Sequence, residues 1–129
     1  MTIKFLNPKS VSFSGKYSLA AEIPAGARLL SVSGQVGTAP DGKLAPNIEA
    51  QCEQVWKNIG EVLKEGGMTY RDIVKMTTFL TDSRFIAASR AARDAVLPAP
   101  PYPSSTLLIV QGLADPAMLV EIEVLAAKA

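Results

Sequence analysis

Three adjacent hydroxyl residues, Ser104, Ser105 and Thr106, stand between a proline-rich turn and the unbroken apolar run 107–110. They are the first residues whose type and spacing suggest chemistry. A serine hydroxyl attacks only when a neighbour accepts its proton, and the 129-residue chain contains no histidine. That absence removes Ser-His-Asp and Cys-His pairs, the usual zinc ligand and the commonest acid–base group near neutrality. Any catalysis falls to carboxylates, hydroxyls, lysine, backbone amides and water. Without a base the three hydroxyls are not nucleophiles, and two readings stand: strand-entry polarity satisfied by nearby backbone, or contact with a neutral or polar ligand. Among the carboxylates, Glu121 and Glu123 share one face of a strand with Leu119 and Leu125, while Val120, Ile122, Val124 and Ala126 share the other. Glu121 therefore points away from an apolar core. Cys52, the only cysteine, has no internal partner and nothing nearby in sequence to lower its pKa, so it reads as a small buried hydrophobe.

The elements that must position these groups follow from periodicity. Over residues 47–65, Ile48, Cys52, Val55, Ile59, Val62 and Leu63 recur at helical spacing, beginning beside Pro46 and ending at Gly66-Gly67. Trp56 neighbours that stripe, and Glu53 and Lys57 pair on the wet side. A second helix is predicted over 83–97, capped by Asp82 or Ser83, with Phe85, Ala88, Ala92 and Val96 inward and Pro98 as its stop. Arg84, Arg90 and Arg93 are expected on its solvated outer face. Segments 17–23 and 28–36 read as strands joined by the hairpin-like loop Pro24-Ala25-Gly26-Ala27. Strands are also predicted over 72–81, 105–111 and 118–126, with a short extra one near 3–6, and Pro40-Asp41-Gly42-Lys43 is a turn. The order implies an α+β domain: one sheet of five or six strands with both helices on one face.

Segment 105–111 raises a difficulty for a lone chain. Leu107 and Ile109 point one way and Leu108 and Val110 the other, so both faces of that strand want burial, whereas the helices cover one. At about 25 cal/mol per Å² of apolar area, leaving several aliphatic side chains wet forfeits substantial stability, so a second copy is expected over the helix-free face.

Composition narrows the partners. With 48% apolar and 19% charged residues, the chain reads as a single globular domain over 1–129 rather than a disordered or fibrous segment. Its net charge of +1 and scattered basic residues give no footprint for nucleic acid. No run approaches the ~20 apolar residues of a membrane span, and no signal-like stretch opens the chain, so a cytoplasmic location is expected.

Segment 33–82, with its SGQ turn, DGK turn, glutamine-containing helix, Asn58, Gly-Gly junction and DIVK strand, resembles the Rid (YjgF-type) family, as do Tyr17 and the ending VEIEVLAA. The resemblance covers nearly the whole chain; each motif is weak alone, and their order and spacing carry the signal. It implies a chorismate-mutase-like fold in a homotrimer with ligand clefts between subunits, and cofactor-free hydrolysis of enamines and 2-imino acids to 2-oxo acids and ammonia. Read onto matching positions, it implies that Tyr17 lies across the ligand, Ser33 and Gly34 line the pocket, and Glu121 orients water. It also implies a carboxylate-binding arginine in a P-A-R-S-like turn. Here that turn reads Pro103-Ser104-Ser105-Thr106, with Ser105 in the arginine's place, and a helix position often held by asparagine is Ser89.

Hydrogen bonds to charged groups contribute about 1.5–3 kcal/mol against about 1 for a neutral hydroxyl, so ordinary 2-imino acid deamination is not expected. Lys75 substitutes only if its side chain reaches the same cleft. The leading expectation is a Rid-like homotrimer that binds a small metabolite, with Glu121 catalytic and Tyr17, Ser33, Gly34, Ser89, Ser105 and Thr106 binding, acting as an atypical enamine or imine hydrolase. The alternative is a non-catalytic ligand-binding or protein-protecting module. The endoribonuclease or translation-inhibitor label of some relatives ranks last, because histidine and a basic patch are both missing.

Overall fold

In a computed structural model, residues 2–129 are described. The chain runs β1 (Lys4–Leu6), β2 (Ala20–Glu22), β3 (Arg28–Val36), α1 (Ile48–Glu65), β4 (Ile73–Leu80), α2 (Ile86–Val96), β5 (Ser104–Ile109) and β6 (Val120–Lys128), with single helical turns at Tyr70–Asp72 and Ser83–Phe85. Six strands form, but in two sheets: a four-stranded sheet in the order β3-β6-β4-β5, and a separate β1-β2 ribbon. β6 is antiparallel to both neighbours, while β4 and β5 are parallel. A parallel pair cannot be closed by a tight turn, and α2 provides the crossover.

The expected hairpin between the second and third strands does not form. The turn is there, with the Ala27 amide donating to the Pro24 carbonyl at 3.3 Å and Gly26 at φ +84°, yet β2 pairs with β1 in the register Lys4↔Glu22. Turn chemistry specifies where a chain reverses and leaves open which strand it meets. The strand expected over 17–23 also shortens to three residues, and Ser18 is held instead against the start of β5, its amide donating to the Pro103 carbonyl at 3.0 Å.

α1 begins where Asn47 caps it, accepting from the Ala50 amide at 2.9 Å, and ends at Gly66. Its inner face presents Cys52, Val55, Trp56, Ile59 and Leu63 to Val32, Met76, Leu80, Ile122, Val124 and Ala126 of the sheet. The expected stripe is rotated by one residue at each end: Val62 is 38% exposed, and the polar Gln51 is buried in the core. Gln51 tolerates burial because its side-chain nitrogen donates to the carbonyls of Ala45 and Ala117 at 3.1 and 3.0 Å, and its oxygen accepts from the Leu119 amide at 2.9 Å.

Asp82 caps the turn that leads into α2, accepting from the Arg84 amide at 2.8 Å. The Arg84 guanidinium also bonds the Asp82 carboxylate and holds its pKa down at about 2. Phe85 of the preceding turn and Ile86, Ala92 and Val96 of α2 pack on the core, as the spacing predicts for three of the four, but the one buried residue of α2 is Ser89.

Cys52 lies wholly inside, and burial, reinforced by the charge of Glu49, pushes its thiol up to about 11. The unfolded thiol ionises first, near its ordinary 9.0, so this contribution to stability is constant below that pH and is lost as pH rises towards 11. A maleimide at pH 7.5 is expected to label the native protein at least about 100-fold more slowly than the urea-unfolded chain. Equal rates would place the thiol at the surface.

Candidate functional site

The hydroxyl run enters the sheet in parallel register with β4: Lys75↔Ser104, Met76↔Ser105 and Thr77↔Thr106. Strand alternation then sends neighbouring hydroxyls to opposite faces. Ser104 donates to the Val74 carbonyl at 3.0 Å, the strand-entry role. Ser105 shares the face of Met76, beneath α2, and Thr106 shares the face of Thr77, away from the helices.

On the α2 side, Ser105 borders a cavity of 250 Å³ together with Tyr17, Ser89, Arg90 and Arg93. Met76, Thr78 and Leu107 complete its wall. Tyr17 is brought there by the anchoring of Ser18 on β5, and its ring meets Phe13 edge to face, with centroids 5.2 Å apart. Arg90 borders the cavity while staying exposed, as expected, and Arg93 is the residue that sequence reasoning missed. Expected on the solvated face, Arg93 has only 15% of its side chain exposed. It is hydrogen-bonded to Asp94 through Nε at 3.1 Å and Nη2 at 3.0 Å. The available signal was the spacing: Arg93 lies four residues after Ser89, on the same helix face.

On the helix-free side, β6 places Glu121 as its parity demands, between Val120 and Ile122, which are 0% and 1% exposed. β3 and β6 lose regular register between Val32 and Gln35, and at this irregularity Gly34 lies against the Glu121 side chain. A Cβ at position 34 would overlap the carboxylate, so glycine gives that carboxylate its place. Ser33 borders a neighbouring hollow of 330 Å³ with Lys75, Thr77 and Glu123. Glu121 and Glu123 flank another, of 380 Å³, with Phe79, Val110 and Leu113.

Within one chain the seven candidates therefore divide. Tyr17, Ser89 and Ser105 meet around one cavity; Gly34 and Glu121 meet on the opposite face, with Ser33 and Thr106 on that same side. Within one chain Lys75 borders the Ser33 hollow and not the Ser105 cavity. The edge strand β5 carries Leu107, Leu108 and Ile109 at 36%, 41% and 48% exposure, apolar on both faces and uncovered even on the helix side.

Among the described residues no helix is long and apolar enough to cross a membrane. The family model described as Endoribonuclease L-PSP matches residues 9–128. The chain is 35% identical over 107 residues to the RutC family protein YjgH of Escherichia coli, covering 78% of this chain and 82% of that one. It is 37% identical over 76 residues to the mouse 2-iminobutanoate/2-iminopropanoate deaminase, spanning 57% of this chain and 54% of the relative's length. Among solved structures it is similar to YyfB of Yersinia pestis, a Rid-family protein of unknown function, with a TM-score of 0.89 and 31% identity over 99% of this chain and 100% of that one. A sheet carrying two helices on one face is thus the α+β fold shared with these relatives, and the chain belongs to the Rid (YjgF-type) family.

Proposed function

We propose that the protein acts as a homotrimer that hydrolyses a small imine or enamine in clefts between subunits, holding it by groups other than a strand arginine. The observation that carries this reading is the division of the candidate residues between the two faces of one sheet. Each subunit offers two half-sites, Tyr17-Ser89-Ser105 and Gly34-Glu121, and a second copy laid over the helix-free face joins unlike halves around one ligand. The exposed aliphatic strand β5 supports such a contact, since Leu108 on its helix-free face gains burial by it. The deaminase name of the mouse relative supports the reaction type.

The reaction needs one water and one proton shuttle. Glu121 accepts a proton as water adds to the imine carbon, forming a carbinolamine. Returning that proton to nitrogen completes the neutral carbinolamine, and Glu121 then carries the hydroxyl proton to nitrogen as the C–N bond breaks, leaving a carbonyl and ammonia. The apolar walls of Met76 and Leu107 suit a short carbon chain.

Ammonia release from imines generated in situ by an amino acid oxidase tests the activity, and Leu108→Glu tests the assembly. A carboxylate placed on the helix-free face of β5 is expected to move the light-scattering mass from trimer towards monomer and to lower turnover in parallel. A wild-type protein that scatters as a monomer at micromolar concentration would sink the reading.

A further inference from the structure

The Ser105 cavity holds cations that no sequence motif announces. Arg90 and Arg93 line it, and the adjoining hollow on the other side of Tyr17 is bordered by Lys16, the same two arginines and Asp94. Three cations thus surround one carboxylate. Asp94 uses Oδ1 to accept both bonds from Arg93, and its Oδ2 lies 3.4 Å from Lys16 Nζ. Arg93 is held side-on by those bonds, which leaves Nη1 and one Nη2 hydrogen uncommitted among the described residues. Arg90 forms no ion pair among them.

We propose that Arg93, oriented by Asp94 and assisted by Arg90, binds the carboxylate of the ligand, so that α2 provides the anion anchor which β5 lacks at Ser105. This rests on the reading of that cavity as one half of the ligand cleft. The ligand class is a short aliphatic carboxylate: its anion meets the guanidinium edge, Ser89 and Ser105 offer hydroxyls beside it, and Met76 and Leu107 take the carbon chain. Arg93 suits the task because its own side chain is mostly buried and already ordered, so little freedom is lost when the anion arrives. The surplus positive charge around Tyr17 draws anions into the cleft. Asp94 is a positioning residue that touches no ligand.

The test is calorimetric titration of the intact protein with 2-oxobutyrate, and with 2-butanone as its uncharged counterpart. Wild type is expected to bind the acid in preference to the ketone, and more weakly as salt rises. Arg93→Ala is expected to weaken acid binding about 10- to 100-fold, Arg93→Lys about tenfold through loss of the planar fork, and Arg90→Ala about threefold. Arg93→Ala combined with Ser105→Arg is expected to recover most of the affinity by restoring a cation on β5. Should Arg93→Ala fail to fold, the lysine variant carries the decision. Unchanged acid binding in the folded Arg93 variants, or equal wild-type binding of acid and ketone, overturns the proposal, as does no binding of the acid. Binding lost with Arg93 in a protein that releases no ammonia from any imine supports the anchor and sinks the catalytic reading. Persistent turnover with unaltered binding in Arg93→Ala does the reverse.

Discussion

Glu121→Gln is expected to lower ammonia release from the protein's best imine substrate by at least about 100-fold, with fold and assembly intact, because amide and carboxylate are isosteric and only the carboxylate accepts a proton from water. Two companion measurements tie the loss to geometry. Gly34→Ala is expected to reproduce most of it: the added methyl would occupy the space of the Glu121 carboxylate, and since the obstacle is the far end of a flexible side chain, the glutamate moves aside at small cost in stability. Mixing Glu121→Gln with Tyr17→Ala subunits, each inactive alone, is expected to restore activity at about one site in four, where an intact Tyr17 half-site from one copy meets an intact Glu121 half-site from another. Activity in Glu121→Gln equal to wild type removes the glutamate from the chemistry. Failure of the mixed trimers to recover any activity would show that the two half-sites do not share a ligand.

The largest stability effect is expected from Gln51→Met. The replacement is close in length and more apolar, yet it strips hydrogen bonds from the carbonyls of Ala45 and Ala117 and from the amide of Leu119, all gathered on a side chain 2% exposed. Each buried backbone group left without a partner costs about 1–3 kcal/mol, so a loss of about 3 kcal/mol or more is expected in urea unfolding. Surroundings offer no relief, because Gly37 packs so tightly on the α1 backbone that a Cβ there would come within 2.6 Å of Gln51 Cα. The loss reaches function as well. Leu119, one of the three partners, stands two residues before Glu121, so Gln51 ties the first helix to the entry of the strand that carries the proposed general base. A midpoint unchanged within error would mean that water replaces all three contacts.

Different kinds of information were legible in the chain and in the fold. Both helices, their stops, the Asp82 cap and all six strands could be read from local patterns, because capping, proline stops and period-two alternation act over a few residues. The direction of Glu121 followed in the same way, from the parity of its apolar neighbours. So did the double-faced character of β5, whose exposed leucines make it an edge that wants covering. Pairing was not legible: the turn at 24–27 looks like a hairpin loop, but β2 joins β1 because registry depends on residues far apart in sequence. Nor was the placement of Gln51 inside and Val62 outside, since hydrophobicity alone ignores three backbone groups waiting for an amide. The rotation of α2 was decided by packing as well. Its alanines define the inward face only weakly, and the neighbouring edge strand leaves room for Ser89 and Arg93 to look into a cavity instead of into water. Local chemistry determined which segments form and which way their side chains alternate; tertiary packing decided which strands meet, which helix face is buried and where the positive charge gathers, because those choices depend on surfaces assembled from the whole chain.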